Sequence, residues 1–535
     1  MSKKFQLTTE QQLIFDAIVK RDKQVSVLMG AAGTGKTTLA SRIIEEYQVQ
    51  RKSLLLLAPT VTALSNLQKR TQGFVYGMTT ARLLKTPVQY FSIMGEKYCL
   101  SKQHEVEKLS QYLFKSFGFD SDEFISRKDS DHPYAVNELL LTDAFEIKFG
   151  SNPKILKQFE FETFVEFEDK SDNEIIKELS DTSVVILDEA TMVNNEDMLL
   201  LVRCCEQAKC ALLVCGDPYQ LPPVTGSLNS YMNNTRTKED GFYLLKQVLR
   251  SSDDVIDIAT RIKNKAPLKV LQPMFPHTIE VVEDLQRLTK PQLRELVNSD
   301  MVLAFQNKDI RYLNQEIRKV LNKPEHVEHD DKLVCMQNVR APKYPAIQEF
   351  YNAEQFKVLQ VYEKNVGWNY VAQIYNISKS NDKRAIALHD AFAKGKLVLA
   401  EVESTATEET KLCIMESLKF FLKAAVRRTL ETYLKDLAIE LIKNQNINED
   451  VRHEEMKRLD YDVLECANAQ LLFPPIVRMQ FGYAMTVHKS QGSEWDNVVY
   501  YTNAKDLWIT KTPNLPYTAV TRAKSKLKIL YSSSF

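Results

Sequence analysis

Glycine is scarce in this chain, with 15 residues among 535, where ordinary usage of about 7% would supply roughly 37. So few glycines leave few places for left-handed or tightly approaching backbone, and where they gather the backbone needs them. Cysteine is limited to eight, at 99, 204, 205, 210, 215, 335, 413 and 466, and no two have the C-x-x-C spacing of a zinc or iron-sulfur site. They read as reduced structural thiols. Net charge is absent as well: 70 Lys and Arg stand against 70 Asp and Glu, so a groove that tracks nucleic-acid phosphates would have to be a local concentration of charge. Long apolar runs are missing. Stretches such as Ser53 to Pro59 are far too short to cross a bilayer, and Met1-Ser2-Lys3-Lys4 leads into polar sequence without the apolar core of a secretory signal. A cytoplasmic protein without a membrane partner is expected, at a length that normally divides into two to four domains.

Three of the glycines fall within six residues, in Gly30-Ala31-Ala32-Gly33-Thr34-Gly35-Lys36-Thr37, followed by Thr38. The apolar run Val25 to Met29 precedes this segment and the amphipathic Thr38 to Tyr47 follows it. Strand, loop and helix in that order are what a phosphate loop requires. Gly30, Gly33 and Gly35 let backbone approach an anion, amides at a helix N-terminus face it, Lys36 supplies a point charge and Thr37 a hydroxyl for magnesium. Aliphatic runs at Leu54 to Ala58, Val184 to Leu187 and Leu212 to Cys215 read as further strands of a buried, mainly parallel sheet. The second of these runs into Asp188-Glu189, where the neighbour of a phosphate-loop strand supplies Asp to magnesium and Glu to an attacking water. ATP with magnesium is the cofactor these parts imply.

A second α/β set begins at Met301 to Phe305, continues with a helix-like Lys308 to Leu321, and resumes with Val477 to Ala484, Val498 to Tyr501 and Leu527 to Tyr531. Two sheet domains follow. The stretches between their parts fit neither pattern. The later one opens with strand-like Lys332 to Met336, Phe356 to Tyr362 and Trp368 to Ile374, then reads as helical from about Thr407 to Asn444. Lys411, Lys419, Lys423, Arg427, Arg428, Lys435 and Lys443 would form a solvated face of that helical part.

The third apolar strand ends in Gly216-Asp217-Pro218-Tyr219-Gln220-Leu221-Pro222-Pro223-Val224. With this segment the chain resembles superfamily 1 helicases of the 5′-to-3′ branch that includes RecD and the bacteriophage Dda helicase. The resemblance implies that Gln220 senses the γ-phosphate and that Pro222 and Pro223 lie under nucleic acid. It also takes in Leu7-Thr8-Thr9-Glu10-Gln11, with Gln11 as the adenine contact. Ala58-Pro59-Thr60 and Thr79-Thr80-Ala81 match two strand-contacting loops, giving Pro59, Thr60 and Thr79, with Ala81 where relatives often carry His. Leu249-Arg250-Ser251 is similar to the motif whose Arg reaches the γ-phosphate, and Ala304 to Lys308 to the start of the second motor domain, with Gln306 where Thr is usual. In Tyr483 to Glu494 the resemblance places Thr486 and His488 toward the strand and Gln491, Gly492 and Glu494 toward ATP. In Tyr517 to Lys524 it makes Arg522 the arginine finger.

The implied architecture is α/β: two RecA-like parallel-sheet motor domains, each carrying an insertion. The first motor domain spans 1–87 and 181–265, interrupted by 88–180. The second spans 266–321 and 473–535, interrupted by 322–472, which the resemblance makes an SH3-like barrel plus helices. The first insertion is expected to supply a β-hairpin pin that splits the duplex. Within it Phe159 to Phe167 alternates, and Phe164 is the lone aromatic on the face of Glu160, Glu162 and Glu166. The activity implied is an ATP-dependent 5′-to-3′ DNA helicase and translocase, working as a monomer on single-stranded DNA and single-strand/duplex junctions, alongside a single-strand binding protein or replication and recombination proteins. The alternatives are an RNA helicase or remodeller, a translocase subunit of a recombination nuclease, and a non-motor phosphate-loop protein such as a kinase or GTPase. The last would need neither a second sheet domain nor the motifs around His488 and Arg522.

Overall fold

The computed structural model describes residues 7–21, 23–69, 71, 75–127, 134–136, 138–149, 159, 161–223, 225–233, 235–236, 239–247, 253–336, 350–366, 397–405, 407–416, 476–506 and 514–532. The chain divides into one unit of Met1–Lys85, Asp169–Glu325 and Phe481–Phe535, and a second of Thr86–Glu168 and His326–Gln480.

Two all-parallel sheets make up the first unit. The larger has the order Phe242–Leu245, Val25–Gly30, Ala211–Gly216, Val184–Leu187, Leu54–Ala58, Gly77–Thr79. The four inner strands read as largely aliphatic runs because both faces are covered. Val27, Met29, Leu55, Leu57, Val185 and Val214 face one way, onto Ile175 and Leu179 of helix Asp172–Leu179 and Met198 and Leu201 of helix Asn195–Gln207. Leu28, Leu56, Ile186 and Leu213 face the other way, onto Ile18 of helix Thr9–Arg21, Leu39 and Ile43 of helix Lys36–Val49, and Leu64 and Leu67 of helix Val61–Gln68. The second sheet has the order Ile279–Val281, Ala523–Ser532, Trp495–Asn503, Met301–Ala304, Ala484–Thr486. Its core joins Val302, Ala304, Ala484, Val499 and Leu530 to Ile310, Leu313 and Ile317 of helix Asn307–Val320. In the first sheet the phosphate loop, Asp188 and Gln220 follow the carboxyl ends of strands, the edge at which open α/β sheets bind ligands, whereas in the second Glu494 and Arg522 directly precede strands Trp495–Asn503 and Ala523–Ser532.

In the second unit, residues of the first insertion form a three-stranded sheet in the order Glu96–Cys99, Lys85–Ile93, Phe161–Asp169. Its tight hairpin pairs Ile93 with Glu96 across Met94 and Gly95, whose φ values of 51° and 85° suit a two-residue hairpin turn. The run carrying Phe164 is one strand, without a turn of its own, and the Phe164 side chain lies outside the described residues. Aromatic packing anchors this part, with Phe117 edge-on to Phe145 at 4.8 Å and Phe145 against Phe159 at 4.5 Å.

The other part of this unit is a six-stranded sheet in the order Ile476–Val477, Thr410–Glu416, Leu397–Ser404, Gln355–Val366, Lys332–Cys335, Met479–Phe481. Its two outermost pieces are separated in sequence only by Arg478, and Met336 N–H donates to the Arg478 carbonyl at 2.8 Å, so the sheet curls round on itself. The helical reading from Thr407 is corrected here, since Thr410–Glu416 is a strand. Lys411, Cys413 and Met415 alternate inward with the period of two that a strand imposes. Lys411 is therefore no part of a solvated face. It is buried, 3.3 Å from the buried Glu354 carboxylate, with its ammonium over the rings of Phe350 and Phe356. The remaining basic residues of that stretch and Trp368 to Ile374 lie outside the described residues.

Candidate active site

Strand Val25–Gly30 ends in the glycine-rich loop, and helix Lys36–Val49 starts at its far side. Gly33 and Gly35 adopt φ of 78° and 81°, the left-handed region in which a side chain is strained. A Cβ on Gly30 would come within 2.5 Å of Thr34 Oγ1 and 3.1 Å of Leu245 Cβ. Lys36 Nζ donates to the carbonyls of Gly30 at 2.7 Å and Ala31 at 3.0 Å, folding the loop around its own cation. Thr34 is buried, while Thr37 and Thr38 are half-buried on the first turn of the helix. Gln11 is buried beside them: its side-chain amide donates to the Thr34 carbonyl at 3.3 Å, and its oxygen accepts from Thr8 N–H at 3.1 Å.

Asp188 and Glu189 follow strand Val184–Leu187, which is not the immediate neighbour expected of the phosphate-loop strand: Ala211–Gly216 lies between it and Val25–Gly30, yet Glu189 still feels the Lys36 charge. Asp188 is buried and accepts from Glu189 N–H at 2.9 Å. Glu189 has φ of 51°, a strained conformation for a residue with a side chain and one that clusters at functional sites. Burial and then the neighbouring Asp188 charge push its carboxyl up to about 7, against the opposing pull of Arg522 and Lys36. A carboxyl raised toward neutrality beside a lysine-bearing phosphate loop is suited to proton traffic.

Strand Ala211–Gly216 leads into Asp217 and Gln220. Gln220 is 5% exposed, and its side-chain oxygen is without a hydrogen-bond partner among the described residues. Segments of the second sheet grip this loop. Asn514 Nδ2 donates to the Gln220 carbonyl at 2.7 Å, Leu221 N–H donates to Thr518 Oγ1 at 3.0 Å, and Gln491 Nε2 donates to the Leu221 carbonyl at 3.3 Å. Tyr517 OH donates to Asp217 Oδ2 at 3.0 Å and accepts from Ala32 N–H at 3.0 Å. Gly492, with φ of 79°, presents its carbonyl to Asn66 Nδ2, and a Cβ there would press on Ala63 at 3.0 Å. Glu494 is half-buried nearby in sequence. Arg522 is 2% exposed and donates to the carbonyls of Thr518 at 3.1 Å and Ser493 at 3.2 Å, so its guanidinium is held by its own sheet domain. A cavity of about 180 Å³ opens beside Ala31, Ala32 and Gly33, walled by Tyr219, Tyr517 and Lys263 among others.

The proposed strand contacts occupy separate loops. Thr60 and Thr79 each cap a helix, Thr60 accepting from Ala63 N–H at 3.2 Å and Thr79 from Arg82 N–H at 3.3 Å. Pro59 is half-buried, Pro222 exposed and Pro223 half-buried. Thr486 is buried and accepts from Lys489 N–H at 3.3 Å. His488 packs against Phe305 with ring centroids 5.9 Å apart, and burial lowers its tendency to protonate. Arg250 lies outside the described residues. The motif reading gave no role to Asp217, Asn514, Tyr517 or Thr518, which join the two sheets. Asp217, Tyr517 and Thr518 stand inside segments already singled out and Asn514 three residues before one, but nothing local distinguishes a residue that bonds a partner about 300 positions away.

Two family models match the chain: an AAA domain over residues 15–226 and a UvrD-like helicase C-terminal domain over residues 481–530. The uncharacterized protein R530 of Acanthamoeba polyphaga mimivirus is 20% identical over 575 residues, spanning 98% of each chain. The ATP-dependent RecD2 DNA helicase of Deinococcus radiodurans is 39% identical over 67 residues, 12% of this chain and 8% of that protein. Among solved structures, Bacteroides Pif1 bound to ssDNA is similar with a TM-score of 0.46 at 14% identity, over 99% of this chain and 93% of that one.

Proposed function

We propose that this chain, which belongs with the superfamily 1 helicases of the RecD-like branch, is an ATP-dependent DNA helicase that moves 5′ to 3′ along single-stranded DNA and separates duplex at a junction. The carrying observation is the grip of the second sheet's segments on the Asp217–Leu221 loop. That loop touches the phosphate loop at one end, through Tyr517, and runs into the exposed Pro222 at the other. A change at the phosphates would thus be felt by both sheet domains and by the surface offered to a strand, which is what a ligand-driven motor needs.

The residues fit a magnesium-bound triphosphate. The buried Gln220 oxygen has no partner among the described residues, and Gly33 and Gly35 hold the left-handed backbone that lets loop amides turn toward an anion. In this reading the amides from Gly33 to Thr38 and Lys36 hold the phosphates, and Gln11 lies at the adenine end. Thr37 and Asp188 hold magnesium, which when bound neutralises phosphate charge. Glu189 orients the attacking water and Gln220 registers the γ-phosphate. Gln491, Gly492 and Glu494 shape the far wall, while Arg522 and Arg250 supply positive charge to the transition state. Pro59, Thr60, Thr79, Pro222, Pro223, Thr486 and His488 face the strand, and the chain acts as a monomer. Among the described residues no helix is long and apolar enough to cross a membrane.

Unwinding of matched 5′-tailed and 3′-tailed DNA duplexes tests this reading. Separation of the 5′-tailed substrate alone, dependent on ATP, is the expected result. A preference for the 3′ tail would refute the polarity, and ATP hydrolysis indifferent to added DNA or RNA would refute the motor.

A further inference from the structure

Among the bonds that join the two sheets, those of Tyr517 differ in kind, because one hydroxyl touches two separate elements of the first sheet domain. It donates to Asp217 Oδ2 and accepts from Ala32 N–H, each at 3.0 Å. Tyr517 is 2% exposed and Asp217 is fully buried, so bulk water cannot readily stand in for either partner. Asp217 Oδ1 accepts from Tyr219 N–H at 3.1 Å, which fixes the carboxylate from its other side. The Tyr517 ring also packs against Tyr219, centroids 6.1 Å apart at 66°. Ring placement and hydroxyl bonding are therefore separable: a phenylalanine would keep the first and lose the second.

The connectivity makes this hydroxyl more than a packing contact. Ala32 belongs to the phosphate loop, Asp217 stands three residues before Gln220, and Tyr517 stands five residues before Arg522. We propose that Tyr517 is a positioning residue for hydrolysis, its hydroxyl setting the phosphate loop, Gln220 and Arg522 in mutual register. The inference rests on the ATP-driven motor reading. A phosphate loop displaced by a fraction of an ångström still binds nucleotide through its remaining amides and Lys36, but the groups that act on transition-state charge no longer converge. The hydroxyl should therefore affect turnover much more than nucleotide binding.

The test is steady-state ATP hydrolysis by the full chain with saturating single-stranded DNA, comparing the parent with Tyr517→Phe, Asp217→Ala and the double variant, with thermal melting of each. Tyr517→Phe is expected to lower kcat about tenfold or more, the loss that follows removal of one hydrogen bond to a charged group. KM for ATP should stay within about twofold of the parent value. The double variant should be no slower than the slower single variant, because both changes break one connection. A Tyr517→Phe enzyme with parental kcat, or one whose loss appears in KM, would overturn the proposal, as would multiplicative losses in the double variant. Should Asp217→Ala fail to fold, the Tyr517→Phe split between kcat and KM still decides. A parent chain without DNA-stimulated hydrolysis would remove the motor reading and this inference with it, whereas an active parent with an indifferent Tyr517→Phe removes this inference alone.

Discussion

Replacing Glu189 by glutamine should stabilise the nucleotide-free protein at alkaline pH while abolishing hydrolysis. The carboxyl is pushed up to about 7, first by burial and then by Asp188, whereas in an unfolded chain glutamate ionises near 4.3. Between those values the folded protein keeps a proton that the unfolded chain has released. Stability contributed by that proton is complete below about pH 4.3, declines as pH rises, and is gone above about pH 7. The loss amounts to about 4 kcal/mol at most. Glutamine does not titrate, and it meets the same φ of 51° that Glu189 does, so backbone strain cancels in the comparison. Parent and Glu189→Gln proteins should melt at similar temperatures near pH 5. At pH 8 the variant should melt higher by several degrees, since 1 kcal/mol moves a domain of 150 to 250 residues by about 2 to 4 °C. Calorimetric melting of both proteins at the two pH values, without nucleotide or magnesium, measures the difference directly. Equal differences at the two pH values would refute the assignment of a proton to Glu189 at neutral pH, whatever the loss of hydrolysis.

Three further outcomes follow from the site. Lys36→Ala should reduce ATP hydrolysis to background with an unchanged circular dichroism spectrum, because among the described residues the side chain bonds only the carbonyls of Gly30 and Ala31; near-normal turnover would remove the nucleotide assignment. Arg522→Ala should lose roughly 10³-fold in turnover, as arginine fingers do. It should also melt lower than the parent, because the carbonyls of Thr518 and Ser493 lose their donor; unchanged turnover would show that Arg522 is no finger. Phe164→Ala should leave DNA-stimulated hydrolysis intact while unwinding of a 5′-tailed duplex falls severalfold, if this strand supplies a base-stacking contact worth roughly 1 to 3 kcal/mol; equal unwinding by variant and parent would dismiss the pin.

What the sequence disclosed depended on how local each signal is. The four inner strands of the first sheet were legible because a parallel sheet buried on both faces writes itself as short aliphatic runs, each ending where a turn or a carboxylate begins, whereas the edge strands Gly77–Thr79 and Phe242–Leu245 were not read. The phosphate loop was legible because left-handed backbone at Gly33 and Gly35 demands glycine, in a chain that spends few elsewhere. The strand Thr410–Glu416 was misread because Lys411 looks like a solvated charge until its partner Glu354, 57 positions earlier, is brought beside it. A buried ion pair has no signature in either residue's neighbourhood, since both look exposed when read alone. The strained backbone of Glu189 was equally hidden, because glutamate carries no mark of φ. Tyr517 is the extreme case. Its role depends on two partners, 485 and 300 residues away, that become neighbours only when two independently recognisable sheets come together. Motifs therefore reveal what each sheet brings to the site, while the bonds that could make two sheets act as one machine are written in pairs of residues that no local pattern links.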